Sequence, residues 1–149
     1  MPNPTAAMLV IGDEILSGRT RDANMYHLAG QLTGQGIDLK EVRVVSDDPE
    51  AIVNATRALS AAYTHVFTSG GIGPTHDDIT ADCIAAAFGV SIGVRADARA
   101  ILQAHYDANG QELNDARLRM TRIPDGACLI DNPVSKAPGF TLRNVHVMA

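Results

Sequence analysis

A glycine-rich loop at residues 68–80, with the sequence TSGGIGPTHDDIT, constrains this chain more than any other stretch. The loop follows a short apolar run and precedes a helix-like pattern, as in a strand–turn–helix unit. Its glycines allow the backbone to turn sharply and to approach a ligand closely. A helix that begins just after them directs free N–H groups and a positive dipole end towards the loop. The loop therefore predicts an anion site, with Asp77 and Asp78 beside it.

Strand and helix patterns alternate along the chain. Strand patterns near residues 7–11, 37–45 and 64–68 are each followed by a helical pattern, which predicts a three-layer α/β/α sandwich with a mostly parallel sheet. The 149 residues fit one domain spanning 1–149. A parallel sheet needs cover on both faces, yet the sequence ends just after a strand pattern. We therefore expect either a longer natural chain, of which this is a fragment, or a partner subunit that covers the open face.

Composition excludes several functional classes. A net charge of −5 without a basic cluster argues against nucleic-acid binding. The 2 cysteines lie far apart without a CxxC pair, so we expect no disulfide framework or zinc site, and a cytoplasmic location. No signal peptide is recognisable, and no apolar run approaches the roughly 20 residues of a membrane-spanning helix. Cys83, on an apolar helical face, is expected in the core rather than as a nucleophile.

Acidic residues follow the ends of three predicted strands. They lie in residues 12–18 (GDEILSG), in the pair Asp47-Asp48 and in the glycine loop itself. In α/β sheets, ligands bind beyond the carboxyl ends of strands, so these loops should meet at one edge. The carboxylates would repel a phosphate unless a divalent cation such as Mg²⁺ lay between them. The sequence therefore predicts a metal–phosphate ligand.

Local patterns predict two helix starts and one further helix. Asp48 followed by Pro49 is typical of an N-cap and a first helical residue, which leaves the neighbouring Asp47 free for another role. Thr75 and Asp78 fit a capping box at the start of the helix that follows the glycine loop. A short helix is expected from about residue 114 to residue 122. The glycine loop matches neither the P-loop nor the dinucleotide fingerprint, so its ligand is not identified by those templates.

Residues 12–18, 47–49, 69–80 and 137–140 together resemble the molybdopterin-binding domain superfamily, and within it the N-terminal domain of the CinA-like competence/damage-inducible proteins. In relatives that make molybdenum cofactor, this domain binds the pterin and activates it with ATP and Mg²⁺ as an adenylate. The resemblance implies that Gly70, Gly71 and Gly73 hold a phosphate. It also implies that Asp78 is an essential acid and that Asp48, or alternatively Asp47, is a second one.

His76-Asp77 stands where the adenylylating enzymes usually place a basic residue, and resembles instead the CinA-like branch, which is credited with metal-dependent hydrolysis of ADP-ribose. The resemblance implies a divalent metal with an adenine nucleotide or molybdopterin as ligand, and a homo-oligomer, dimeric or trimeric. Pterin adenylylation and a non-catalytic regulatory module remain the alternatives. The predicted site comprises the catalytic residues Asp78, Asp48 and Glu14, the metal ligands Asp77 and Asp78, and the ligand-binding residues Gly70, Gly71, Gly73, Thr75, His76, Asp13 and Thr80.

Overall fold

The computed structural model describes residues 2–148 and divides them into strands and helices that alternate along most of the chain. The strands are β1 (Thr5–Ile11), β2 (Asp38–Val45), β3 (His65–Ser69), β4 (Ile92–Val94), β5 (Arg122–Pro124), β6 (Cys128–Ile130), β7 (Gly139–Leu142) and β8 (Val145–Val147). The helices are α1 (Asp13–Leu16), α2 (Asn24–Gly34), α3 (Pro49–Ala62), α4 (Thr80–Ala87), α5 (Ala96–Ala108) and α6 (Asp115–Leu118). A 3₁₀ turn, Arg119–Thr121, follows α6.

The central sheet has the strand order β2-β1-β3-β8-β7-β6. β2, β1, β3 and β8 are parallel neighbours, whereas β7 runs antiparallel to both β8 and β6. β4 and β5 form a separate antiparallel pair. The carboxyl ends of β1, β2 and β3 therefore lie at one edge of the sheet, and this edge carries the acidic loops. The predicted mostly parallel sheet is confirmed.

Helices flank the sheet on both faces. On one face, alternate residues of β1 such as Leu9 join a buried apolar cluster with Ile52 and Leu59 of α3 and Ile84 of α4. Because side chains alternate along a strand, Met8 points to the opposite face, where it lines a cavity together with residues of α2. The sandwich of helix, sheet and helix predicted from the sequence is confirmed.

α3 begins as predicted, with Asp48 as its N-cap. The Asp48 carboxylate accepts a hydrogen bond of 2.9 Å from the Ala51 N–H, and Pro49 occupies the first helical position. The carboxylate thereby satisfies a backbone donor that has no partner within the helix. The helix buries Ile52, Thr56 and Leu59 against the sheet. The predicted N-cap is confirmed.

Two predicted helix boundaries were wrong. α4 begins at Thr80 rather than at Thr75, because residues 75–78 close a separate turn in which the Asp78 N–H donates to the Thr75 carbonyl at 3.1 Å. The helix predicted up to residue 122 ends at Leu118. Residues 122–124 form β5 instead, because they pair with β4 and bury Ile123 in the core. This distant pairing outweighs the local helical preference.

Both cysteines are free thiols. Cys83 is buried on α4, and that burial, with smaller contributions from Asp82 and Asp48, raises the pKa of its thiol to about 11. Cys83 is therefore a core residue, as predicted, since a nucleophilic cysteine needs a lowered pKa. Within residues 2–148, every helix is too short or too polar to cross a membrane.

Candidate functional site

The loops after β1 and β2 are locked together by two aspartates. The Asp13 N–H donates to one carboxylate oxygen of Asp47 at 3.1 Å, and the Asp47 N–H donates to one carboxylate oxygen of Asp13, also at 3.1 Å. We call this reciprocal pair the aspartate clasp. In each carboxylate the second oxygen has no protein partner among residues 2–148. The clasp therefore fixes two adjacent carboxylates and leaves each with an oxygen available to a ligand.

A cavity of about 390 Å³ opens beside the clasp. We call it the acidic cavity, and it is lined mainly by charged side chains, namely Asp13, Glu14, Arg19, Asp47, His76 and Asp77. Its volume lies within the range of small-molecule sites. Four of these side chains are carboxylates and two are an arginine and a histidine, so the lining is predominantly acidic.

The histidine and the aspartate of the glycine loop lie at the mouth of this cavity. The His76 Nε2 is 3.4 Å from a carboxylate oxygen of Asp77, and their side chains are 89% and 85% exposed. Contacts this exposed contribute little to stability. Both side chains are therefore free to reorient towards a ligand.

Glu14 reaches the same cavity through close packing on Gly12. A Cβ added to Gly12 would lie only 2.6 Å from the Glu14 Oε1. A side chain at residue 12 would therefore displace the carboxylate. The glycine before α1 allows Glu14 to fold back over the backbone at the end of β1.

The glycine loop makes its sharp turn at Gly70 and Gly71, where φ is +94° and +70°. A Cβ at Gly70 would collide with the carbonyl oxygen of Ile11, and one at Gly71 with the hydroxyl of Thr80. Thr80 is buried beneath the loop, and its hydroxyl donates to the Gly70 carbonyl at 2.8 Å. Thr80 therefore shapes the loop from below and fixes its main chain.

Asp78 faces away from the acidic cavity. One of its carboxylate oxygens accepts hydrogen bonds from the Thr75 N–H at 3.0 Å and from the Thr75 hydroxyl at 2.9 Å. It lines a second, narrow opening, the arginine slot, with Gly71, Gly73, Asp82, Arg119 and Arg122. Asp77 and Asp78, predicted as a pair of metal ligands, thus border different openings. Among residues 2–148, no three histidine, cysteine or acidic side chains are close enough to hold a metal by themselves.

Asp47 and Arg119 make contacts between distant loops of the site that the sequence did not predict. Asp48, predicted as catalytic, has its carboxylate at the N-terminus of α3, whereas Asp47 belongs to the clasp and the acidic cavity. Arg119 was not singled out because no local motif marks it. Its contact with the glycine loop joins residues 44 positions apart and becomes visible only in the fold.

Comparisons with known proteins agree with this architecture. A family model described as a probable molybdopterin binding domain matches residues 7–149. A CinA-like protein of Geobacter sp. (strain M21) is 39% identical over 137 residues, which cover 92% of this chain and 33% of that protein. The chain spans less than two thirds of the length of such curated relatives, from 33% to 58% in the cases compared.

Solved structures are similar over nearly the whole chain. The protein CinA of unknown function from Thermoplasma acidophilum has a TM-score of 0.88 and 33% identity, covering 99% of this chain and 89% of that one. The molybdopterin biosynthesis enzyme MoaB from Thermus thermophilus has a TM-score of 0.61 and 14% identity, covering 97% and 80%, and shows the fold alone. By its sequence and its fold, this chain belongs to the probable molybdopterin-binding domain family and is similar to its CinA-like members.

Proposed function

We propose that this domain binds a nucleotide through a divalent cation in the acidic cavity and hydrolyses the pyrophosphate linkage of a substrate such as ADP-ribose. The observation that carries the proposal is the aspartate clasp, which presents two carboxylates beside a glycine turn at the carboxyl edge of the sheet. Carboxylates and a phosphate-binding loop are compatible at one site when a cation lies between them.

The donor set fits a hard divalent cation such as Mg²⁺. Mg²⁺ prefers oxygen ligands and is usually held by one or two carboxylates together with substrate phosphates. Asp13 and Asp47 would supply those carboxylates, and Asp77 extends the negative lining of the same cavity. When bound, the cation would neutralise phosphate charge and polarise the phosphorus–oxygen bonds.

The residues of the chain would position the other reactants. The turn at Gly70 and Gly71 excludes side chains, because a Cβ there would meet the Ile11 carbonyl oxygen or the Thr80 hydroxyl, and it would offer a phosphate only main-chain N–H groups. Glu14 lines the cavity and would orient a water and accept its proton as the water oxygen attacks phosphorus. The linkage between the two phosphates would break, so that ADP-ribose and water give AMP and ribose 5-phosphate.

Between the two adjacent acids after β2, we assign the functional role to Asp47. The Asp48 carboxylate is engaged at the N-terminus of α3, and Asp48 does not line the acidic cavity. Asp47 shares the clasp with Asp13 and keeps one oxygen free of protein partners within residues 2–148. The family resemblance favoured Asp48 as the second essential acid and left Asp47 as the alternative. We propose Asp47.

A second candidate function is the binding and adenylylation of molybdopterin. It is favoured by the description of the matching family and by the fold shared with a MoaB enzyme. Both chemistries place a phosphate group next to a cation and an adenylate, so the same residues would serve either. A module that binds the ligand without turnover would use the same cavity.

Incubation with ADP-ribose and Mg²⁺, followed by chromatography of the products, separates these possibilities. We expect AMP from the wild type and from Asp125→Asn, an exposed acid outside both openings, but not from Asp47→Asn. Nucleotide binding without AMP formation would contradict hydrolysis and support a binding module. Adenylated pterin formed from molybdopterin, ATP and Mg²⁺ would favour the transferase.

A further inference from the structure

We infer that His65 and His146 form a binding site for a divalent transition-metal ion such as Zn²⁺ or Ni²⁺. The two histidines lie on β3 and β8, outside the lining of the acidic cavity and of the arginine slot. The inference is independent of the proposed function, whose cation is held by carboxylates. It adds a metal site of a different kind, in which imidazole nitrogens hold the ion.

The central sheet brings the two imidazoles together. β3 and β8 are parallel neighbours in which Phe67 is paired with His146, and His65 lies two residues before Phe67 on the same face of the sheet. The His65 Nδ1 is 3.0 Å from the His146 Nε2, and the ring centroids are 5.2 Å apart. We call these two residues the histidine pair. One nitrogen of each ring therefore faces the other across two adjacent strands.

The distance between these nitrogens matches that between two ligands of one ion. Zinc–nitrogen bonds are about 2.0–2.1 Å long, so two nitrogens bound at angles of about 90–110° lie about 2.9–3.4 Å apart. The observed distance of 3.0 Å falls within this range. An ion would replace the hydrogen bond between the rings, once small rotations of the side chains turn both lone pairs towards one point. The strands themselves need not move.

The surroundings of His146 prepare its Nε2 to be a ligand. The other ring nitrogen, Nδ1, lies 2.9 Å from the Thr141 hydroxyl, and Phe67 packs against the ring at a centroid distance of 4.9 Å. When Nδ1–H donates to the Thr141 oxygen, the proton stays on Nδ1 and the Nε2 lone pair is left for an acceptor role. Metal-binding histidines are usually oriented by a hydrogen bond of this kind.

His65 supplies the proton of the hydrogen bond between the rings in that arrangement. On metal binding this proton would move from the His65 Nδ1 to its Nε2, which has no protein partner within residues 2–148. The ring stays neutral, as a metal-bound imidazole must be. Both rings are half-buried rather than enclosed, so an ion can reach them.

The ligand type selects the metal. Imidazole suits Zn²⁺, Ni²⁺ and Cu²⁺, whereas Mg²⁺ prefers oxygen ligands. Among residues 2–148, no third histidine, cysteine or acidic side chain joins the histidine pair, so water would complete the coordination of the ion. The histidine pair and the aspartate clasp would thus bind different metals.

Calorimetric titration of the metal-free protein with Zn²⁺ at neutral pH tests the inference. His65→Gln and His146→Gln should each weaken Zn²⁺ binding at least about tenfold, because the loss of a residue that only supports a ligand already weakens metal binding about 10-fold to 100-fold. The double variant should bind little more weakly than either single variant, since the two histidines act together on one ion. His27→Gln, at an exposed histidine of α2, is the matched control and should keep the wild-type affinity.

Thr141→Val tests the support of the ligand separately. Valine keeps the shape of the side chain but removes the hydroxyl next to the His146 Nδ1. We expect Zn²⁺ affinity to fall about tenfold, with both histidines still present. An unchanged affinity in Thr141→Val together with unchanged affinities in both histidine variants would overturn the inference.

Long-range ¹H–¹⁵N NMR spectra identify the binding atoms in the wild type and need no variant to fold. Zn²⁺ should shift the resonances of the His65 Nδ1 and the His146 Nε2 and leave those of the His27 ring in place. A wild type that binds no Zn²⁺, or one that binds it without shifts at the histidine pair, would overturn the inference. Either result would leave the proposed function intact, because that function depends on the carboxylates of the aspartate clasp.

Discussion

The acidic cavity and the arginine slot share the glycine loop but differ in how their charges are balanced. In the slot, Arg122 pairs with Asp82, and Asp78 is bound by Thr75. In the cavity, Asp13 and Asp47 hold each other only through backbone N–H groups, and within residues 2–148 neither carboxylate forms an ion pair. Asp82, whose charge is balanced within the protein, has no oxygen to spare for a ligand, whereas each carboxylate of the clasp keeps one. The proposed function therefore predicts different effects for substitutions in the two regions.

The largest expected effect comes from Gly70→Ala, which would disrupt both regions at once. The new Cβ would meet the Ile11 carbonyl oxygen, a main-chain atom that cannot rotate away, at a φ of +94°. We expect a loss of about 3 kcal/mol in the free energy of unfolding and loss of nucleotide binding. Chemical denaturation measures the former.

Gly30→Ala is the control for this substitution. Gly30 lies within α2 with open space around its Cα, so alanine should stabilise the helix by about 0.5–1 kcal/mol. A Gly70→Ala variant as stable as the wild type would show that the loop does not need its left-handed turn.

Asp47→Asn should separate the functional acid from its structural neighbour. We expect Mg²⁺-dependent nucleotide affinity to fall about 10-fold to 100-fold, because a neutral amide cannot replace a carboxylate near the cation. Asp48→Ala should instead lower the free energy of unfolding by about 0.5–2 kcal/mol through loss of the N-cap, with nucleotide affinity retained. If calorimetry instead showed lost nucleotide affinity in Asp48→Ala, and denaturation showed lost stability in Asp47→Asn, Asp48 would be the residue that binds the ligand.

The contrast between these two aspartates shows what the sequence could reveal. The N-cap of α3 was predictable because Asp48, Pro49 and Ala51 are neighbours in the chain. The aspartate clasp joins residues 34 positions apart, so it depends on how β1 and β2 pair. Strand ends, glycine turns and the sheet followed from local patterns. β5 did not, because a local helical preference yielded to pairing with β4.

A smaller effect is expected from Asp82→Asn in the arginine slot. The ion pair with Arg122 is partly exposed, at 30% and 36% of the two side chains, so its loss should cost no more than about 1 kcal/mol of stability. Nucleotide affinity should change little, since this charge is balanced within the protein. A loss of Mg²⁺-dependent affinity as large as that of Asp47→Asn would break the distinction between the two regions.

The smallest effect is a pH dependence of stability that arises from a histidine pair outside the lining of either opening. Burial, and secondarily the charge of His65, lowers the pKa of His146, whose Nε2 lies 3.0 Å from the His65 Nδ1. The unfolded chain, with an ordinary pKa of about 6.5, therefore binds more protons than the folded one. Stability should fall as the pH drops below about 6.5, until His146 is protonated in the folded state too.

His146→Gln should flatten this slope in thermal melts between neutral and mildly acidic pH. If the dependence of stability on pH persisted in His146→Gln, a group other than His146 would bind the proton responsible. Such a result would leave the comparison of the two openings intact.

The most direct test of the account is the affinity for ADP measured by calorimetry with Mg²⁺ and, in parallel, with EDTA. The unneutralised carboxylates of the acidic cavity should repel a phosphate unless a divalent cation offsets their charge. We predict that ADP binding weakens at least about tenfold in EDTA for the wild type, and that Asp47→Asn shows little further dependence on Mg²⁺. Equal affinity with Mg²⁺ and with EDTA would contradict the claim that this domain holds its ligand through a cation.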